Sequence, residues 1–189
     1  MKLTINHLKG YLGTGLKILD LTTKKSFDLD KFYNQEIPIE IQDKYGKIGL
    51  EQVINDNKLL PLLHPLSSLI KYREDLGFVP IVELFKMRTQ HLSDSIDKYY
   101  IKDNTAVLKL SEQGYPDGKM SYCHFFEIDL EPNNIHFSLA TEYYKIGENG
   151  IYKEEFGFIG NEMNMMQKLN EWHIDYQNLI KENLAIEIK

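Results

Sequence analysis

Cys123 and His124 stand side by side with Glu127 three positions on, the closest approach in this chain to a nucleophile, a base and an acid in one stretch. The residues around them alternate apolar and polar, which predicts a strand. In a strand, neighbours point to opposite faces, so Cys123 and His124 are badly placed to act on one another, and structural roles are expected for both. His124 and His136 fall on neighbouring predicted strands. A turn centred on Asn133 sets His136 opposite Leu130, which separates the two imidazoles, and no third zinc ligand accompanies them. His173 lies between Trp172 and Tyr176 on an apolar stripe, the setting of a core histidine bonded to backbone. Asp94 and Asp97, three apart on a predicted helix, read as a solvated face.

Tyrosine next to lysine or arginine recurs: Lys71-Tyr72-Arg73, Lys98-Tyr99-Tyr100-Ile101-Lys102, Tyr143-Tyr144-Lys145 and Tyr152-Lys153. A tyrosine offers a flat face for a nucleobase, or a protein anchor at low entropic cost, and a lysine adds a phosphate contact. The last two clusters straddle one predicted hairpin, so Tyr143, Tyr144, Lys145, Tyr152 and Lys153 form the candidate partner-contact site. The competing reading is half-buried tyrosines at sheet edges with the lysines turned to water.

These residues need elements to position them. From Thr105 almost to Gly160 the apolar period is two. Ala106, Leu108 and Leu110 alternate in one strand, and Tyr122, His124, Phe126 and Ile128 in the next. Ile135, Phe137, Leu139 and Tyr143 follow, then Tyr152, Phe156 and Phe158. Turn-forming residues at 113–118, 132–134 and 147–150 separate them, which predicts an antiparallel meander. Over 161–189, Met165, Met166, Leu169, Trp172, His173, Tyr176, Leu179, Ile180 and Leu184 recur mostly at three- and four-residue steps, which predicts a helix capped by Asn161 and docked on the meander. Its end, Ala185 to Ile188, alternates as a short strand.

Upstream, Thr4 caps a short helix carrying Ile5, Leu8 and Leu12, with Gly13 and Gly15 at its end. Leu16–Leu21 and Ser26–Asp30 read as strands joined by a turn. Ile37–Ile41 and Lys47–Leu50 are further β runs. Leu59–Leu66, with Pro61 and Pro65, reads as a buried connector rather than a helix. A helix from Pro65 to Gly77, an extended 78–82 and a longer helix within 82–100 complete the first half. The expected fold class is α+β: an antiparallel β-meander packed against a C-terminal amphipathic helix, with a mixed α/β N-terminal lobe. A single domain, 1–189, is expected, with lobes 1–102 and 103–189.

Composition narrows the function. In 189 residues, 42% hydrophobic and 26% charged, a folded globular chain is expected. The formal charge of −6 disfavours general nucleic-acid binding, which needs excess Lys and Arg. One cysteine permits neither an internal disulfide nor a cysteine metal cage. Met1–Leu12 carries charges without a continuous apolar run, unlike a secretory signal, and no stretch is long and apolar enough to span a bilayer, so a cytoplasmic, membrane-free protein is expected. Gly13-Thr14-Gly15 lacks the third glycine of a dinucleotide turn. Phosphate loops, His-Glu-x-x-His and Gly-x-Ser-x-Gly are missing from the sequence, so no catalytic residue, cofactor or metal is assigned.

The opening Leu3-Thr4-Ile5-Asn6-His7-Leu8-Lys9-Gly10-Tyr11-Leu12 with Gly15-Leu16-Lys17, the Leu60-Pro61-Leu62-Leu63-His64-Pro65-Leu66-Ser67 block, and the ending Lys168-Leu169-Asn170-Glu171-Trp172-His173-Ile174-Asp175 with Leu179-Ile180-Lys181 and Leu184-Ala185-Ile186-Glu187-Ile188 resemble a family of short proteins encoded by phages and prophages. The resemblance covers both ends and the first third, and implies a setting rather than an activity. In that setting the expected function is non-enzymatic: an anti-CRISPR-like inhibitor of a host defence nuclease, binding a host protein or ribonucleoprotein such as a Cas effector, with local RNA contact. The alternatives are a small enzyme of nucleic-acid or nucleotide metabolism and a phage structural or assembly subunit.

Overall fold

Strand pairing divides the chain into two sheets, and the fold is α+β. The computed structural model describes residues 2–33, 54, 58–88, 96–114, 120–131, 134–145, 151–156 and 162–188. The predicted strands at 37–41 and 47–50 and the turns at 115–118, 132–133 and 147–150 lie outside these residues, as do Asp94 and the predicted cap Asn161. The chain forms two units, Met1–Pro65 with Gln167–Lys189 and Leu66–Met166. The lobe boundary expected near 101–105 is instead a hairpin turn inside the second unit.

In the first unit, Thr4 precedes helix α1 (Ile5–Leu8), and the Thr4 N–H donates to Nδ1 of His7 at 3.0 Å. A 3-10 turn, Lys9–Tyr11, follows, and Gly13 and Gly15 take positive φ of 79° and 74°. Both of their N–H groups donate to the carboxylate of Asp30, so the loop's donors are satisfied by helix α2 (Leu29–Tyr33). Strands β1 (Lys17–Asp20) and β2 (Ser26–Asp28) pair antiparallel, as their alternation predicts. The buried Asp20 carboxylate accepts from the N–H groups of Thr22 and Thr23 and fixes the connecting turn.

The expected connector is a strand, β3 (Leu59–Leu63), antiparallel to β1. Strand β10 (Ile186–Glu187) runs parallel to its other side, giving the order β10-β3-β1-β2. β10 pairs only with Leu62 and Leu63, so Pro61, which lacks a donor, lies beyond that ladder. Leu8, Tyr11, Leu16, Ile18, Leu29, Ile54, Leu59, Leu63, Leu179 and Leu184 make one buried core on this sheet.

The second unit begins with a 3-10 helix, Leu66–Ile70, in place of the longer helix expected there. Arg73 pairs across a tight turn with Phe78, Gly77 sitting at φ 80°, and its guanidinium bonds Asp75. Pro80 opens helix α3 (Pro80–Arg88), where its missing N–H leaves no bond unmade. The extended 78–82 of the sequence reading is therefore half helix. Residues 96–100, expected in that helix, belong to strand β4 (Ile96–Lys102), because Asp103 and Asn104 at φ 46° and 65° fold it back onto β5 (Thr105–Leu110).

β6 (Gln113–Gly114), β7 (Met120–Glu131), β8 (Asn134–Lys145) and β9 (Ile151–Phe156) complete the sheet in the order β4-β5-β7-β8-β9, with β6 on β7. The β7–β8 register differs by one from expectation: His136 faces Asp129, not Leu130. That slip matters, because it sets Phe126 opposite Leu139 and Ile128 opposite Phe137 and so gathers the apolar residues on one face. Phe85 of α3 packs on that face, its ring centroid 5.8 Å from that of Phe126.

The predicted C-terminal helix is short. Helix α4 (Glu162–Glu171) stops where His173 turns to φ 54°, and the rest of the stripe is built into turns and β10. Leu179, Leu184 and Ala185 belong to the core of the first sheet, not to the meander.

Candidate partner-binding site on the antiparallel sheet

β7, β8 and β9 align Tyr122, Tyr143 and Tyr152 at one register position, with Gln113 of β6 at the far side of Tyr122. Aromatic residues directly opposite one another are favoured pairs between antiparallel strands. The Tyr122 hydroxyl donates to Gln113 Oε1 at 2.5 Å. Its ring lies 6.4 Å from the Tyr143 ring at a 41° tilt, and 5.2 Å from the His124 ring, edge on. Nδ1 of His124 is 2.8 Å from the hydroxyl of Thr141, its cross-strand neighbour, which is buried. Burial holds the His124 imidazole below its ordinary pKa, and therefore neutral at neutral pH.

The opposite face carries a separate cluster, Val107, Cys123, Phe125 and Ala140, with Tyr100 and Tyr144 packed against it. The Tyr144 hydroxyl donates to Glu142 Oε2 at 2.6 Å. Burial first, and then that carboxylate, push its pKa up. The Cys123 thiol donates to the Leu110 carbonyl at 2.8 Å, and burial raises its pKa, which keeps it a thiol and a poor nucleophile. Cys123 and His124 thus sit on opposite faces, as alternation requires. On the same face as Cys123, Lys109 lies 6.0 Å from the Phe125 ring centroid and 3.9 Å from Asp97.

Of the five candidate contact residues, Tyr143 and Tyr144 are half-buried and, as neighbours in a strand, belong to different faces. Tyr152 pairs with Tyr143, Lys153 with Glu142 and Lys145 with Met120. The side chains of Lys145, Tyr152 and Lys153 lie outside the described residues. Tyr122 joins this set only through strand pairing. It has no basic neighbour in the sequence, and its place two residues before His124 in the alternation was the one available hint. In the other tyrosine clusters, Tyr72 is 63% exposed, Tyr99 39% and Ile101 39%, each more open than the half-buried Tyr143 and Tyr144.

No family model, curated protein or solved structure matches this chain. His136 is exposed at the position of Asp129, and His173 Nε2 lies 3.1 Å from the Thr14 carbonyl. Asp97 is on a strand, not a helix, and exposed. Among the described residues, no group of three His, Cys, Asp or Glu side chains is placed to hold a metal ion, and no helix is long and apolar enough to cross a membrane. What the arrangement offers is a pair of phenol rings, Tyr122 and Tyr143, side by side across β7 and β8, with the Tyr122 hydroxyl held by Gln113.

Proposed function

We propose that this chain is a non-enzymatic binding protein of a phage or prophage, working in the bacterial cytoplasm as an inhibitor of a host defence nuclease. The partner in this reading is an RNA-guided Cas effector or its guide RNA complex. The observation that carries it is the single register position shared by Tyr122, Tyr143 and Tyr152 across three strands. Rigid aromatic rings held by a sheet make interface anchors at small entropic cost, and the net charge of −6 suits a basic nucleic-acid channel.

The experiment is a pull-down of purified Cas effectors on the immobilised chain, with and without guide RNA. Retention by the native chain, and at least about tenfold weaker binding by Tyr143→Ala, supports the reading. Failure to retain any effector under both conditions removes it. Circular dichroism of the variant separates lost contact from lost fold.

A further inference from the structure

Strand β4 is the terminal strand of its sheet among the described residues. An edge strand directs alternate N–H and C=O groups outward, a template for one more strand. Here the side chains along that edge are sorted by face. Tyr99 and Ile101, each 39% exposed, lie on one face, and the exposed Lys98 and Lys102 lie on the other. The Lys98 ammonium sits 5.6 Å from the Tyr100 ring centroid, so it is held at the sheet surface. A bulge between Ile96 and Lys98 closes the regular ladder at one end, and the turn at Asp103 and Asn104 closes it at the other. The usable edge is therefore the stretch 98–102.

We infer that this edge binds an extended peptide in which acidic and apolar residues alternate. Its backbone adds to β4, its apolar residues meet Tyr99 and Ile101, and its carboxylates meet Lys98 and Lys102. A second copy of this chain is the poorer match for this edge. In an antiparallel two-fold pair centred on Tyr100, Lys98 would face the second copy's Lys102, a repulsive match, and centring on Tyr99 sets Asp97 against Ile101. The lysines thus disfavour the self-pairing centred on Tyr100 while selecting an acidic strand in a chain that is otherwise net negative. This inference does not depend on the nuclease reading, which concerns different strands.

The test uses the full chain, isotope-labelled, and an end-capped peptide alternating glutamate and valine. The comparison peptides are one with the same residues in two blocks and one with lysine in place of glutamate. Amide shifts over 98–102 and an affinity at least about tenfold above both comparison peptides are expected. In K98E/K102E the preference should invert toward the lysine peptide with the amide shifts still confined to 98–102, which general attraction to an unfolded acidic chain cannot produce, and K98Q/K102Q should lose selectivity. Equal binding of the blocked peptide, an unchanged preference in K98E/K102E, or tighter binding of single-stranded oligothymidine at the same amides overturns the inference.

Discussion

Gly10 stands where a side chain has no room. A Cβ there would come within 2.7 Å of Asn170 Oδ1 and 2.7 Å of the Tyr176 hydroxyl, two atoms already bonded to each other at 2.8 Å. Tyr176 in turn stacks on Tyr11, centroids 5.7 Å apart, and the Tyr11 hydroxyl donates to the Ile174 carbonyl at 2.7 Å. Burial pushes both phenol pKa values up, so both remain donors. Gly10→Ala is expected to cost about 1–3 kcal/mol in urea unfolding, and adding Asn170→Ala should recover part of that loss. Strict additivity of the two changes would contradict the close approach. His124 supplies a pH dependence. The unfolded chain takes up its proton near 6.5, the folded chain only at lower pH, so between the two the unfolded state binds more protons. Its contribution to stability is constant above that range and is lost as the pH falls through it. The unfolding midpoint should fall on acidification, and His124→Gln should flatten that fall; an identical slope in the variant would place the proton uptake elsewhere.

The end of α4 shows how an element can stop without glycine. The Ile174 N–H bonds the Leu169 carbonyl and the His173 N–H bonds that of Asn170, while His173 takes the left-handed position. The pattern repeats downstream: the Leu184 N–H bonds the Leu179 carbonyl, and the Asn183 N–H bonds that of Ile180, with Asn183 at φ 58°. Between the two, the buried Asp175 carboxylate accepts from the N–H groups of Leu179 and Ile180 at 2.8 and 2.7 Å. Asp175→Ala should therefore cost about 1–2 kcal/mol, with Asp175→Asn losing less because one acceptor survives; calorimetry of the three proteins decides it. The three- and four-residue steps from Met165 to Leu184 read as one helix because tight turns also bring Leu169, Ile174, Leu179 and Leu184 inward, at five-residue steps. Asn178 and Asn183, both at positive φ, were the local signs of a break, outweighed by the apolar spacing. β4 was hidden differently. Its exposed side chains follow no period, and only the paired β5 makes it a strand.

At the scale of the molecule, the first unit is closed by residues from both ends of the chain. Leu179, Leu184 and Ala185 share a core with Leu3, Leu8 and Leu16, and β10 pairs with β3. A chain ending at Met166 is expected to lose hydrogen-exchange protection across β1 and β3, measured by mass spectrometry against the full chain; retained protection would show that the 167–189 segment is dispensable. The aromatic line at Tyr122, Tyr143 and Tyr152 has the same long-range origin. The alternation in β7 and β8 was plain, and so was the hairpin bringing Tyr143 toward Tyr152, because period two and turn residues are local properties. The register was not. A one-residue difference at the turn reverses which faces meet, and only the joint burial of Phe126, Ile128 and Phe137 selects the register that sets Tyr122 opposite Tyr143. The sequence by itself determined the strand character of β1, β2, β5, β7, β8 and β9, the α+β class and the opposed faces of Cys123 and His124, each set by the geometry of a few consecutive residues. Which strands neighbour which, where the last helix stops, and which tyrosines share a line were decided by the tertiary structure, since they depend on apolar surface buried between segments far apart in the chain.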